Sequence, residues 1–401
     1  MGILQGLKIL DFTTLLPGPF ATMMLADMGA EVMKVESPYR EDFIKHLKPS
    51  NGEVSATFAH LNRSKRSLAL DLKKQEAKEI IYELVKEYDI VIEQFRPGVM
   101  QKLGIDYEKL KEINPAIIFC SITGYGQTGP YSNKAGHDIN YLSIAGISSY
   151  SSRQGERPIP QGIQIADIAG GGMPAVIAIL AAVYHREKTG KGQQIDISLT
   201  DVSFSLQAMD GPAYLAEGIE PKSEELLLNG GSFYDFYETK DGRYFSVGSL
   251  EPKFQEMLCE LLGDKSKIKL SRSQSKKAQE EFKHFVSTSF QQKTFTEWLT
   301  LIGNDFDGCV EPVLSFGEAV SHPQLQAREM IVPVPSNEGY EQQIAFPIKF
   351  SSHKSIYRFA GVPTGTHTNE ILQEAGWSRE EIQRFIELGV FGVSEHKDVS
   401  I

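Results

Sequence analysis

The chain has 401 residues, 41% of them apolar and 23% charged, with a formal net charge of −11. This is ordinary globular composition, and the length exceeds the size at which one core stops growing, so two domains are expected. Negative net charge without a long basic run argues against an extended nucleic-acid surface, so an anionic ligand needs positive charge concentrated locally.

The first element is a strand over residues 7–12. The stretch "LLPGPF" follows, with a proline suited to a first helical turn, and apolar residues then recur at helical spacing through Leu25. "EVMKVE" is a second strand. Two further helix–strand units follow: "KEIIYELVKEY" with "DIVIEQF", and "YEKLKEI" with "AIIFCSI". Strands alternating with helices predict a mostly parallel sheet in an α/β fold. "PAVIAILAAVYHREK" (174–188) is a strongly apolar helix closed by "TGKGQ", and "QIDIS" returns as a strand. After residue 230 the pattern becomes aromatic and hairpin-like, with Asp241-Gly242 in the expected turn of "YETKDGRYF". "SRSQSKKAQEEF" (271–282) reads as a polar loop entering a helix, and the last segment, "HTNEILQEAGWSREEIQRF", is helical again.

Cys120, Cys259 and Cys309 lie far apart with no C-x-x-C pair, which argues against a disulfide framework or a zinc site. No histidine pair stands at metal-ligand spacing, so no metal is expected. No cleavable leader and no apolar run of about 18 residues is evident, so the expectation is a cytoplasmic protein without a membrane span.

Several residues invite a chemical reading. His137 follows the turn-rich "GYGQTGPYSNK" and precedes an apolar run; histidine is the natural proton acceptor near neutrality. Its neighbour Asp138 reads as the cap of the following helix, since adjacent residues do not face each other on a helix. Asp167 stands just before three glycines in "ADIAGGG". It is either a helix cap or an acid–base group raised by desolvation, and the glycines at a helix start would leave N–H groups free for an oxyanion. Glu251 precedes Pro252 at a helix start, where the helix dipole favours a carboxylate. Arg63, Lys65, Arg66, Lys73, Lys74, Arg96 and Lys102 form two basic clusters near strands of the first domain. They are either a solvated face or a site for phosphates. Met173, Met209 and Met257 are core or an adaptable apolar surface.

These stretches occur together in one order. "LLPGPFATMMLADMGAEVMKVE", "GYGQTGP…AGHDINYLSIAG", "ADIAGGG", "REKTGKGQQIDIS", "NGGSFYDFYETKDGRYFSVGSLEP" and "CVEPVLSFGEA" resemble the family III CoA-transferase superfamily (CaiB/BaiF type), and within it the racemase branch that acts on 2-methylacyl-CoA thioesters. The resemblance implies a Rossmann-like, CoA-binding large domain built from N- and C-terminal parts plus a smaller α+β domain, in an interlocked homodimer. The boundaries become 1–197 for the large domain, 198–235 for a linker, 236–325 for the small domain, and 326–401 for a linker and return to the large domain. It implies that Asp167 matches the superfamily aspartate, while His137 and Glu251 match residues that the racemases add. The CoA contacts it implies are Leu70, Asp71, Leu72 and Lys73; Gln94, Phe95, Arg96, Pro97, Gly98 and Lys102; and Gly136, Asp138, Ile139, Asn140 and Tyr141. An arginine after the second strand of the racemases is Ser37 here, with Arg40 close by, and Lys102 replaces another arginine. The implied reaction is α-proton exchange at an acyl-CoA thioester with no cofactor beyond the CoA of the substrate. The alternative is CoA transfer through an acyl–Asp167 intermediate.

Overall fold

The computed structural model describes residues 2–392. The chain divides into two compact units: unit 1 takes Met1–Ala145, Gln161–Leu206 and Gln326–Ile401, and unit 2 takes Gly146–Pro160 and Gln207–Leu325. The segment 146–160 thus groups with unit 2, whereas the sequence reading placed it in the large domain. The residues from 393 onward in the expected C-terminal return lie outside the described residues.

Unit 1 is built on a six-stranded parallel sheet. Its strands are β1 (Lys8–Asp11), β2 (Glu31–Glu36), β3 (Lys65–Ala69), β4 (Ile90–Glu93), β5 (Ile118–Thr123) and β6 (Gln194–Ser198). Their order is β3-β2-β1-β4-β5-β6, every neighbouring pair parallel. The sheet is doubly wound, and the order reverses between β1 and β4, where connections leave the sheet in opposite directions and open a crevice. The strands are apolar runs because both faces are covered: β4 and β5 are buried throughout. Helix α1 (Pro17–Asp27) starts with proline in its first turn, as the sequence predicts. Helices α2 (Gln75–Val85) and α3 (Tyr107–Ile113) cover one flank. Ile80, Ile81 and Leu84 of α2 join Phe119 of β5 in one core.

The crevice is lined by α4 (Asp138–Ile144), by α5 (Ile165–Thr189) and by α6 (Leu199–Ser205). Helix α5 widens into a π turn over Ile168–Gly172. Single π turns inside α-helices are frequent at functional sites. The three glycines sit inside this helix, not at its start, and all are buried. A Cβ on Gly172 would lie 2.8 Å from Phe20 and 2.9 Å from the Pro17 carbonyl, and one on Gly170 would lie 2.9 Å from the Ser203 hydroxyl. The glycines therefore serve close packing against α1 and α6, which corrects the expectation of free N–H groups for an oxyanion. At 25 residues α5 is also, by length and composition, apolar enough to cross a membrane. That corrects the expectation that no such run exists; its glycines and Pro174 disguise the run in the sequence.

Unit 2 holds an antiparallel sheet of β7 (Asp235–Glu238), β8 (Tyr244–Val247) and β9 (Val310–Pro312), in the order β9-β8-β7. The β7–β8 hairpin turns through Gly242 at φ 79°. Helices α7 (Pro252–Leu261), α8 (Lys276–Phe290) and α9 (Phe295–Ile302) complete the unit. Phe245, Phe282, Phe290 and Trp298 form its aromatic core, and the Trp298 indole donates to the Phe290 carbonyl at 2.8 Å. The chain then returns to unit 1. It forms a hairpin of β10 (Ile331–Ser336) and β11 (Gly339–Ile344), then α10 (Thr368–Glu374) and α11 (Arg379–Glu387). Ile371, Leu372 and Ile382 of these helices enter the core, with α10 packed on β3.

Candidate active site

A cleft of about 330 Å³ opens at the carboxyl ends of β1, β4 and β5, the switch point of the sheet. Leu15 and Pro17 come from the segment after β1, Gln94–Pro97 from the segment after β4, and Ile122–Gly124 from the end of β5. Gly136, His137 and Tyr141 arrive with α4, and Asp167 with α5.

Two hydrogen bonds fix the first two loops to each other and to the sheet. The Gly18 N–H donates to Gln94 Oε1 at 3.1 Å, and the Phe95 N–H donates to Glu93 Oε2 at 2.7 Å. Below them Asp11 is fully buried and accepts from the Thr13 and Thr22 hydroxyls at 2.5 and 2.6 Å. Lys65 approaches it at 3.4 Å, and Lys34 donates to the Thr13 carbonyl at 2.7 Å. Burial alone would raise the Asp11 pKa, but Lys34, Lys65 and the two hydroxyls outweigh it and hold the carboxyl below its ordinary value. Burial pushes Lys65 down to about 7 despite Asp11.

This network corrects the phosphate reading of the first basic cluster. Lys65 serves Asp11; Arg63 is fully buried and paired with Asp27 at 2.5 Å; Arg66 pairs with Glu374 at 2.7 Å. Lys73, Arg96 and Lys102 are exposed, and Lys74 is half-buried. Ser37 accepts the Tyr39 and Arg40 N–H groups at 3.3 and 3.2 Å in a tight turn, leaving Arg40 exposed.

His137 is exposed at the entry of α4. The Asn140 carboxamide oxygen accepts its N–H at 3.0 Å, fixing the backbone from which the imidazole projects. His137, not Asp138, is the N-cap residue. Asp138 opens the first turn, and its Oδ1 accepts the N–H of Asp167 at 3.1 Å. The expected cap thus acts on a different helix. Asp167 itself is the third residue of α5, with helical φ −68° and ψ −45° and no capping hydrogen bond from its side chain, so the capping alternative is excluded. Desolvation by burial, then the Asp138 charge, push its pKa up to about 7.

Tyr141 packs between two glycines: a Cβ on Gly124 would meet its ring at 2.3 Å and one on Gly136 at 2.7 Å. Its hydroxyl donates to the Gly136 carbonyl, and Tyr125 meets its ring edge-on at 5.2 Å. Burial and the neighbouring Asp167 push the phenol up to about 12.

The cleft therefore unites Gln94, Phe95, Arg96, Pro97, Gly136, His137, Tyr141 and Asp167. It does not include the rest of the expected set. Leu70 is 1% exposed and its side chain belongs to the core, against which Leu72 also packs. Asp71 and Lys73 form a turn in which the Asp71 carboxylate accepts the Lys73 N–H at 3.2 Å. Gly98, with φ 80°, caps the start of the one-turn helix Val99–Leu103, and Lys102 lies in its last turn. Ile139 is 51% exposed. Glu251 belongs to unit 2, exposed at the N-cap of α7 and making no capping hydrogen bond. Sequence reasoning missed Leu15, Thr123, Ser132, Lys134 and Leu199 of the cleft. Thr123 was findable, as the last residue of a strand immediately before the glycine of "ITGYG". Among the described residues no cluster of three or more His, Cys, Asp or Glu side chains is placed to hold a metal ion.

The model of CoA-transferase family III matches residues 4–368. The chain is 36% identical over 389 residues to a human α-methylacyl-CoA racemase, covering 94% of this chain and 95% of that one. It is 33% identical to a succinate–glutarate CoA-transferase of Agrobacterium fabrum, covering 92% and 95%. A crystal structure of a CaiB/BaiF family protein from Brucella suis superimposes with a TM-score of 0.80 at 31% identity, over 93% of this chain and 99% of that one.

The raised pKa of Asp167 has a consequence for stability. Its folded value, about 7, lies above the ordinary 3.8. The ionised side chain therefore weakens the fold above pH 7, and the penalty fades as the pH falls from 7 towards 3.8. Asp167→Asn, neutral throughout, is expected to raise Tm at about pH 8 relative to the wild type, with the gap closing in acid. Thermal melts across that range check it, and identical Tm values at every pH would contradict it.

Proposed function

Because the chain belongs to CoA-transferase family III, whose members act on acyl-CoA thioesters, we propose that it interconverts the (R) and (S) forms of 2-methylacyl-CoA thioesters. The observation that carries this reading is a carboxyl poised near pH 7 in the same cleft as a histidine. A group whose pKa lies near the working pH both gives and takes protons efficiently. The α C–H of a thioester is weakly acidic because its enolate delocalises onto the carbonyl oxygen. His137 takes the α-proton from one face, the electron pair moves into the enolate, and Asp167 delivers a proton to the other face. The roles exchange for the opposite enantiomer. The net change is one proton out and one proton in, so the chemistry calls on no cofactor beyond the CoA of the substrate.

Arg96 at the switch point suits the anionic CoA moiety, and the loop carrying it is tied down by Glu93 and Gln94. Glu251 is proposed to orient the His137 imidazole across a homodimer, one subunit's unit 2 serving the other's cleft. Met173, Ile177 and Tyr184 leave an exposed apolar stripe on α5 that supports a second copy as partner. Sizing in solution tests that assembly: a particle of one chain's mass would remove it.

The CoA-transferase alternative uses Asp167 as a nucleophile on the thioester carbonyl. The similarity to the A. fabrum enzyme supports it. Incubation with (R)-2-methylacyl-CoA in D2O separates the two. Racemisation predicts deuterium at C2 without a carboxylic acid acceptor, and His137→Ala is expected to lower its incorporation by about 10²-fold or more. No exchange, with label passing instead between acyl-CoA and free acid, would establish transfer.

A further inference from the structure

The loop between β1 and α1 is held at three places. The Thr13 N–H and hydroxyl donate to Asp11, and Lys34 donates to the Thr13 carbonyl at 2.7 Å. The Gly18 N–H donates to Gln94. Between them the Leu15 N–H donates to Asp42 Oδ2 at 2.9 Å, across 27 positions of chain. Leu15 stands at φ 60°. This left-handed conformation crowds Cβ against the following carbonyl oxygen, and for a residue as bulky as leucine it is an outlier. Such residues persist only where their surroundings fix them, and they gather at functional sites. Leu15 lines the cleft with His137 and Asp167. Pro17, in the same loop, lies where a Cβ on Gly171 of α5 would meet it at 3.0 Å, so the loop packs on the helix that carries Asp167.

Asp42 is 5% exposed. The cations of the turn after it are engaged elsewhere: Lys45 pairs with Glu36 and His46 with Glu41. A buried carboxylate is costly unless hydrogen bonds compensate it, and here backbone N–H groups do so. Its Oδ1 accepts the Ile44 N–H at 3.2 Å and caps the one-turn segment Phe43–His46. Asparagine or serine would cap as well, with a single oxygen and no buried charge. What the carboxylate adds is a second acceptor, and Leu15 takes it. Ile44 and Leu15 pack in one apolar cluster with Met23 and Phe58, so Asp42 ties together two segments that share a core.

We infer that Asp42 is a positioning residue of the acyl-CoA cleft: its carboxylate holds Leu15 in the left-handed conformation in which the leucine forms an apolar wall of that cleft. The inference rests on the acyl-CoA reading above but not on the choice between its two reactions, since both need the thioester seated in the same place. A double-substitution cycle tests it, with Asp42→Asn, which keeps the shape, and Leu15→Gly, which adopts φ 60° without strain. Calorimetric Kd for 2-methylacyl-CoA, kcat in exchange or transfer, and Tm are measured for the wild type, both single variants and the double variant. Asp42→Asn is expected to raise Kd by about 10-fold, with kcat changed by less than about threefold. In the Leu15→Gly background the same substitution should change Kd by less than about twofold, because glycine needs no holding. Equal losses in both backgrounds overturn the inference, since they assign Asp42 to its cap alone. So does a wild-type Kd in Asp42→Asn. Should Asp42→Asn fail to fold, the double variant is expected to fold, and an unfolded double variant overturns the inference too. A wild type that binds no 2-methylacyl-CoA overturns the acyl-CoA reading itself, and the cleft role with it, whatever the variants do.

Discussion

Asp138 holds Asp167 and opposes it at once. Its carboxylate accepts the Asp167 backbone N–H at 3.1 Å, so the two acidic residues cannot separate while α4 and α5 remain in place. Burial of Asp167 first, and the nearby Asp138 carboxylate after it, disfavour the ionised form of Asp167. The proposed proton transfer depends on that raised pKa. An aspartate in water would be too weak a base to take a proton from carbon and, once ionised, would have none to return.

The scaffold serves this arrangement by rigidity. Asp11, Lys34 and Lys65 form a buried network below the cleft, and Arg63 with Asp27 forms a second buried pair. Removing one member of such a pair leaves an uncompensated buried charge, a cost of about 3–5 kcal/mol. Their placement under the loop after β1 connects that cost to the position of Pro17, which α5 approaches through its glycines. The π turn follows Asp167 directly, so the residue proposed to carry the chemistry sits where the helix departs from regular geometry. Rigid strands, close glycine packing and a tied loop after β4 thus converge on one carboxyl.

The parallel sheet was legible because β1, β2, β4 and β5 are apolar runs separated by helical spacing, and that periodicity survives in any context. The small unit's hairpin was legible from Asp241-Gly242. The β10–β11 hairpin was not read: Pro333 and Pro335 interrupt the pattern of a strand, and prolines are tolerated there because the two-stranded ribbon needs few ladder donors. His137 and Asp167 stood out by residue type beside turns and glycines. Their relation did not. Asp138 looked like a local cap, and nothing in sequence spacing reveals that it accepts from a residue 29 positions away. The glycines were misread for a similar reason, since a free helix start and a tightly packed helix interior use the same residue. The lysines and arginines of 63–66 looked like a charged surface because burial of a charge is visible only once its partner is placed.

The protonation state of Asp167 in the free enzyme is the quantity on which the account turns. Infrared difference spectra between the wild type and Asp167→Asn, followed through a pH titration, isolate its carboxyl stretch. The account predicts a protonated carboxylic acid band that disappears with a midpoint near 7. A band lost near 3.8, the ordinary value for aspartate, would contradict it.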